Sequence, residues 1–467
     1  MQTDVIILGG GPAGAAAAGL LSRLGAGVTV LTRAARWSIG ESIPPSTARL
    51  FAELGLAVEI DAAGFLRSRG NTVWWGNAPE RVEPFPGDAL GWQVERSQFD
   101  EVLLRAAEAA AVTVHRDVVV SGVELGHGMH SVTWRSGASA DRRSTAPWIL
   151  DCTGRAGVLA RRLGREARPG RATFALHGVW EGERWEVPDA THTLVETTPG
   201  GWAWSIPVTE RRRHVTVMIE PPAGTLEVTL DEVYRSELSG TAHLSRLVRD
   251  AALVKPIGGL SASPYVAPTF AGPGWALVGD AASFIDPLSS FGIKKALAAA
   301  WLAAVVVHTS LTEPSLTGAA IDLFDRRERD AFHELSRQAA GVWTGDAGPG
   351  GDEFALLRDD PAVHAALKAL RAADAISLRP GSGVVLAPGP TVRGQRVVLE
   401  PHLRCDWRPD VRFILGISVP TLIALAPGVT QVPDLYDQYV RAEGATDLRD
   451  FLGVLSLLVS KGVLVQS

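Results

Sequence analysis

A chain of 467 residues with 46% hydrophobic and 21% charged side chains has apolar material for two or three packed units and is not a disordered polymer. Its net charge of −6 gives no general electrostatic reason to expect nucleic acid or an anionic membrane as partner, and its two cysteines, Cys152 and Cys405, neither build a disulfide framework nor match a metal spacing. The amino terminus, MQTDVIILGG, has no basic leader or cleavage site, and the longest apolar run, 296–307, is short of the about 18 residues a membrane span needs. A cytoplasmic protein without a metal is expected.

Residues 5–8 (VIIL) read as a buried strand, followed at once by Gly9, Gly11, Pro12, Ala13 and Gly14 and an alanine-rich helix to residue 24; a second strand covers 28–32. This is G-x-G-x-x-G in strand-turn-helix context. Gly9 turns the chain, Gly11 leaves room for a pyrophosphate at the helix N-terminus, and Gly14 lets helix and sheet pack closely, so a dinucleotide is expected here. The acidic residue that usually ends the second strand is replaced by Thr32 and Arg33; threonine can still hydrogen-bond a ribose hydroxyl.

Gly40-Glu41-Ser42 follows in a loop expected to fold over the ligand, and Pro44-Pro45 delays the next helix until Ser46 can cap it. Strands are expected near 73–76 and 91–94, a helix headed by Arg96 over 99–110, and strands at 112–115, 118–123 and 148–150, the last ending in Asp151-Cys152-Thr153-Gly154-Arg155. From 171 to 267 the pattern changes to alternation (173–179, 191–196, 202–208, 214–219), which reads as a largely antiparallel sheet of the kind that carries a substrate. The stretch 275–301 then returns to α/β character: a short strand ends at Gly279-Asp280, an irregular segment through Pro287 reaches Gly292, and a long apolar helix starts at Ile293. Asp280 can accept from a sugar or ribityl hydroxyl, and Gly292 permits close approach to the free helix amides. Alone, this could equally be a turn capped by an aspartate; the amino-terminal fingerprint decides for a cofactor site. A charged helix covers 323–337, a Gly-rich linker 345–353, and the remainder ends in two amphipathic helices (434–442, 447–460) and a strand (463–466), the helix-helix-strand order of a winged helix. Residues 345–467 carry 12 Lys/Arg against 14 Asp/Glu, the wrong sign for a phosphate-binding face, so a peptide- or protein-docking module is expected rather than a DNA-binding one.

The fingerprint, Arg96, the Asp151–Arg155 segment and Gly279-Asp280 with Asp286-Pro287 and Gly292 together resemble the FAD-dependent aromatic monooxygenases over roughly 1–338. Gly40-Glu41-Ser42 and the WxWxIP stretch from Trp202 to Pro207 resemble the flavin-dependent halogenase branch of that superfamily. The resemblance implies a Rossmann-type FAD-binding domain (1–170, with a strand excursion near 65–95, and 268–344), an inserted antiparallel β-sheet substrate domain (171–267), the linker, and a small winged-helix-like α+β domain (354–467). It also implies non-covalent FAD lined by Glu41, Ser42, Arg96, Gly279, Asp280, Pro287, Gly292 and Ile293, with Trp202 and Trp204 between flavin and substrate. No second nicotinamide fingerprint is present, so reduced flavin is expected from a separate reductase, with dioxygen as co-substrate and a flavin C4a-hydroperoxide as oxygen donor. Glu196 and His177, on the inserted sheet, are the acid/base candidates.

Three departures bear on the reaction. Where tryptophan halogenases carry a lysine, this chain has Arg67, Ser68 and Arg69; Ser289 stands in place of a glutamate; and Phe291 replaces a threonine beside the expected halide site. With the appended carboxy-terminal region, these resemble the peptidyl tryptophan dihydroxylases of tryptophylquinone cofactor biogenesis, which implies a protein or peptide partner carrying the target tryptophan. A halogenase of an indole, pyrrole or phenol, and a non-catalytic flavin-binding assembly or regulatory protein, are the alternatives.

Overall fold

The computed structural model describes residues 3–33, 38–167, 172–220, 229–285, 287, 291–344, 360–408 and 410–466. Two compact units divide the chain, Met1–Ala339 and Ala340–Ser467.

The first unit is built on a six-stranded sheet in the order Ala271–Gly272, Trp275–Leu277, Trp148–Asp151, Val5–Leu8, Val28–Leu31, Thr113–His115, parallel throughout except for its first pair. All four residues of Val5–Leu8 and of Val28–Leu31 are buried, as continuous apolar runs must be in a sheet covered on both faces. Leu8 lies level with Leu31 on one side and Asp151 on the other, and Asp151 with Leu277. The four strands therefore end together, and Gly9, Thr32, Cys152 and Val278 form one rim. The helix Pro12–Arg23 buries every residue from Pro12 to Leu21; its alanines and glycines let it sit between the helices Arg96–Ala109 and Gly292–Thr312.

Gly292–Thr312 runs past the apolar stretch 296–307, and near its end Thr309, Ser310 and Thr312 satisfy their hydroxyls on the carbonyls of Val305, Val306 and His308. It is thus long and apolar enough to cross a membrane by length and composition, contrary to the sequence expectation, although 67% of its most apolar window is buried inside this unit. Ser46 is not the expected helix cap: a 3-10 turn, Pro45–Thr47, precedes the helix Ala48–Glu53, and Ser46 Oγ accepts from Lys294 Nζ at 2.9 Å.

The second sheet of this unit has seven strands, in the order Ala252–Ser261, Phe174–Glu181, Arg212–Ile219, Gly201–Pro207, Thr193–Thr198, Gly70–Trp74, Arg81–Pro84. It is wider than the segment 171–267 suggests. Gly70–Trp74 joins it by pairing parallel to Thr193–Thr198, whereas Gly91–Glu95 pairs elsewhere, with Gly40–Ile43 and Leu66–Ser68.

The second unit packs its helices Pro361–Ala372, Val419–Leu425, Val432–Glu443 and Leu448–Ser460 around Leu422, Tyr439, Phe451 and Leu455. Asp360 and Asp447 cap the first and last of these through the amides of Ala362, Arg449 and Asp450. The closing strand Leu464–Gln466 pairs with Leu378–Pro380, and a hairpin of Val385–Arg393 with Arg396–Arg404 precedes the helix-helix-strand order. The linker 345–353 lies outside the described residues.

Candidate active site

A cavity of about 760 Å³ opens at the common rim of the parallel strands and is closed on its other side by the seven-stranded sheet. Its first wall is mostly backbone. Gly9 has φ +99°, and a Cβ there would lie 2.4 Å from the Cys152 carbonyl oxygen; a Cβ on Gly14 would lie 1.9 Å from the Gly9 carbonyl oxygen. Those two glycines serve packing. Gly11 differs: its Cβ would meet nothing nearer than Asp100 Oδ2 at 3.7 Å and would stand in the cavity that Gly11 lines. Pro12 and Ala13 line the same space at the start of one helix, and Gly292 and Ile293 at the start of another, neither helix carrying a side-chain cap. Two sets of free amides with a glycine cradle suit a polyanionic dinucleotide.

At one end Thr32 and Arg33 line the cavity, Thr32 Oγ1 accepting from the Gly10 amide at 3.1 Å. Further round, Arg96 grips both oxygens of Asp100 (2.8 and 2.9 Å) and donates to Glu41 Oε1 (2.7 Å). Burial works against the Arg96 charge, but Asp100 and Glu41 outweigh it and hold its pKa above the ordinary value. Burial pushes the Glu41 carboxyl up, opposed by Arg96. This triad ties the Gly40–Ile43 strand to the helix Arg96–Ala109, with Glu41 and Ser42 on the cavity surface. Asp280 and Pro287 line the opposite side. Gly279 does not, but its φ of +66° starts the turn that presents Asp280, and Tyr265 donates to the Asp280 carbonyl at 2.7 Å.

Side chains of the seven-stranded sheet make the other wall. Trp204 lies opposite Thr216, and Thr216 opposite His177, so strand register sets all three in one row facing the cavity. Trp202, two residues from Trp204 on the same strand face, stacks on it with ring centroids 4.7 Å apart. Trp202 is 1% exposed and does not line the cavity; it packs beside Trp204 on the same face of the sheet.

His177 Nδ1 is 3.1 Å from Thr216 Oγ1, and its Nε2 is 3.2 Å from His214 Nδ1, which also accepts from the Gly40 amide at 2.9 Å. Because His214 Nδ1 is already an acceptor, His177 Nε2 must carry the proton, leaving His177 Nδ1 to accept from the Thr216 hydroxyl. Burial pulls the His177 pKa down to about 4 and that of His214 to about 3. His177 is therefore neutral at neutral pH.

Glu196 is not placed for acid/base work. It lies opposite Ala203, one step out of phase with Trp202 and Trp204, and so points to the other face of the sheet. There its carboxylate accepts from the amides of Ala242, His243 and Leu244 and caps the short helix Leu244–Leu247. Ser68 is fully buried and donates to the Gly70 carbonyl, Arg67 stacks over Trp92, and neither these nor Arg69 line the cavity. Among the described residues no lysine lines it. Phe291 also stays off the lining, with Lys294 Nζ 5.4 Å from its ring centroid; Asp286 and Ser289 lie outside the described residues.

Thr216, Asp100 and Arg155 also line the cavity. Asp100 has a local signal, four residues after Arg96 on a helix. Arg155 stands in a recognised segment, whereas nothing in its own stretch distinguishes Thr216 from any strand threonine.

Residues 2–312 match the FAD-binding-domain family model. Among curated proteins the chain is similar to the tryptophan 2-halogenase of Chondromyces crocatus, 31% identical over 340 residues, which span 70% of this chain and 65% of that protein, just under two thirds of its length. The flavin-dependent halogenase CmlS superposes with a TM-score of 0.80 at 23% identity, covering 100% of this chain and 96% of that one. QhpG, a peptidyl tryptophan dihydroxylase essential for tryptophylquinone cofactor biogenesis, gives 0.69 at 23% identity, covering 98% and 99%. At these identities the two structural likenesses speak to the fold alone. The chain is similar to flavin-dependent halogenases, and it belongs to the FAD-binding-domain family, a flavoprotein that holds FAD non-covalently.

Proposed function

We propose that this protein is an FAD-dependent monooxygenase that hydroxylates an electron-rich aromatic ring, and that the ring is a tryptophan presented on a polypeptide for quinone cofactor biogenesis. The observation that carries this reading is the composition of the side-chain wall: Trp204 stacked on Trp202, a neutral His177 paired with Thr216, and no lysine among the described lining residues. When bound and reduced by a separate reductase, FAD supplies the activation of dioxygen. The chain's own residues do the rest. The amides after Gly11 and at Gly292 hold the polyanion, and Asp280 can accept from a hydroxyl of the cofactor chain. Trp204 and Ile206 present an apolar surface that excludes water and can stack on an aromatic substrate.

An aromatic ring that has taken an electrophile is a strong acid, so a weak neutral base suffices to restore it. Thr216 Oγ1 can take that proton as its own hydroxyl proton passes to His177 Nδ1. At position 68 the amine that would hold a halogenating species is replaced by a buried hydroxyl committed to Gly70. The second reading, halogenation, is favoured by the similarity to tryptophan 2-halogenase. The unit Ala340–Ser467 is assigned to docking the polypeptide, on its acidic balance and its separate core.

Chemically reduced FAD, isotopically labelled dioxygen and a tryptophan-bearing precursor polypeptide, with and without bromide, distinguish the readings by mass. Labelled oxygen on one tryptophan, independent of bromide, is expected. Bromine incorporation would establish the halogenase, and an unchanged substrate beside fully bound FAD would favour an assembly protein.

A further inference from the structure

Behind the turn Gly279–Ala281 lies a buried cation. Lys295 sits in the first turn of the helix Gly292–Thr312, its side chain 3% exposed. Its Nζ reaches the carbonyl oxygens of Gly279 (3.3 Å) and Ser283 (2.5 Å) and lies 3.7 Å from Asp280 Oδ1. One ammonium thus joins the start of the turn to the strand Ser283–Phe284 that follows it, and faces the carboxylate the turn presents. Glu328, buried on the helix Thr317–Thr344, has one oxygen without a hydrogen-bond partner among the described residues; burial pushes its carboxyl up to about 7, opposed by the charge of Lys295. Keeping an ammonium out of water is unfavourable, and a methionine of similar length would fill the space. Lysine is also scarce in this chain, with none before Lys255. Its placement here, against an atom of a cavity-lining residue, calls for a role.

We propose that Lys295 is a positioning residue of the flavin site: it clamps the turn that presents Asp280 and, by its charge, favours the reduced form of bound FAD over the oxidised form. Reduced FAD carries more negative charge near neutral pH than oxidised FAD, and Lys295, itself off the lining, lies 3.7 Å from the carboxylate of Asp280, which is on it. Without the ammonium, the Asp280 carboxylate on the cavity surface keeps Arg155 as a neighbouring cation but loses the charge beside it, and so opposes an anionic ligand more than a neutral one. The inference rests on FAD binding and is independent of which substrate is oxygenated, so it can fail while the hydroxylase reading stands, and the reverse.

The test uses the full chain and measures dissociation constants for oxidised FAD in air and for dithionite-reduced FAD without oxygen, beside thermal unfolding of the apoprotein. Lys295→Met is expected to weaken reduced FAD roughly tenfold more than oxidised FAD, the scale of one partly screened charge interaction. Lys295→Gln, which keeps a donor for the carbonyls and removes only the charge, should show the same selective loss with oxidised FAD little changed. Lys294→Met, on the same helix turn but bonded to Ser46 and off the cavity lining, should leave the ratio of the two constants unchanged. Equal weakening of both forms by Lys295→Gln, or no weakening of either, would overturn the proposal, as would an equal shift of the ratio by Lys294→Met. Should Lys295→Met not fold, Lys295→Gln decides alone.

Discussion

The two walls of the cavity are made of different materials. The wall at the strand ends is backbone: glycines, helix amides and one carboxylate on a turn, held by the ion triad of Arg96. The wall on the seven-stranded sheet is side chain: Trp204, Thr216 and His177 in a single cross-strand row. A backbone wall binds what is common to the family, a dinucleotide, because main-chain amides do not depend on which residue supplies them. A side-chain wall can be rewritten one residue at a time. Substitutions at the first wall should therefore act on FAD or on the fold, and substitutions at the second on the substrate step, leaving FAD in place.

The largest effect is expected at Gly11. Gly11→Val should fold, since its Cβ has room among the protein atoms, yet retain no flavin after dialysis, as read from the visible absorbance; a protein that keeps its flavin would break the assignment of this wall. Gly14→Ala should instead fail as a fold, because its Cβ would strike the Gly9 carbonyl oxygen.

Next comes Arg96→Met, which strands Glu41 and Asp100 as partly buried carboxylates. A loss of about 3–5 kcal/mol in unfolding free energy is expected, measured by denaturant titration.

The histidine pair supplies a pH test. His177 is held at about 4, below the ordinary value near 6.5, so the unfolded chain binds the extra proton first as pH falls. Its contribution is fully present above about 6.5 and lost between there and about 4, roughly 3 kcal/mol across that window. His177→Asn should flatten this part of the pH–stability curve, and an unchanged curve would mean that His177 is not held neutral by burial.

Thr216→Val should cost about 1 kcal/mol by removing the donor to His177 Nδ1. Substrate turnover should fall while FAD affinity stays level, and Thr216→Ser should restore turnover. A parallel loss of FAD affinity would erase the distinction between the walls. Smallest of all, on FAD, is the effect of ending the chain after Gly345: flavin binding and its reoxidation by air should be unchanged while modification of a polypeptide substrate fails.

The backbone wall is largely legible in the amino-acid sequence, because each of its features is local. Val5–Leu8, Gly9, Gly11 and Gly14 lie within ten residues; Gly9 and Gly14 answer steric demands of the strand-turn-helix, and Gly11 keeps the cavity clear. Asp280 and Gly292 are close in the chain for the same reason. The side-chain wall is not legible in this way. Glu196 and His177 look alike in sequence, each a polar residue within a strand pattern, yet one caps a helix through amides 46 to 48 residues away and the other faces the cavity.

Most of the elements and the cofactor cradle follow from residues a few positions apart, since hydrophobic period and glycine sterics act over that range. Tertiary structure decided which strands pair and in which register. Gly70–Trp74 pairs with Arg81–Pro84 close in the chain but also with Thr193–Thr198 far along it, and the pairing of Gly201–Pro207 with Arg212–Ile219 sets Trp204 beside Thr216. A shift of one residue in that register would turn Trp204 away from Thr216 and His177, because side chains alternate along a strand with period two. The hairpin register is held locally, where the Val208 amide donates to the Arg212 carbonyl and Thr209 Oγ1 accepts from the amides of Arg211 and Arg212. The pairing of Phe174–Glu181 with Arg212–Ile219, which brings His177 into the row, joins strands far apart in the chain and is set by the packing of the sheet, with Leu176, Ala203 and Val217 in the core.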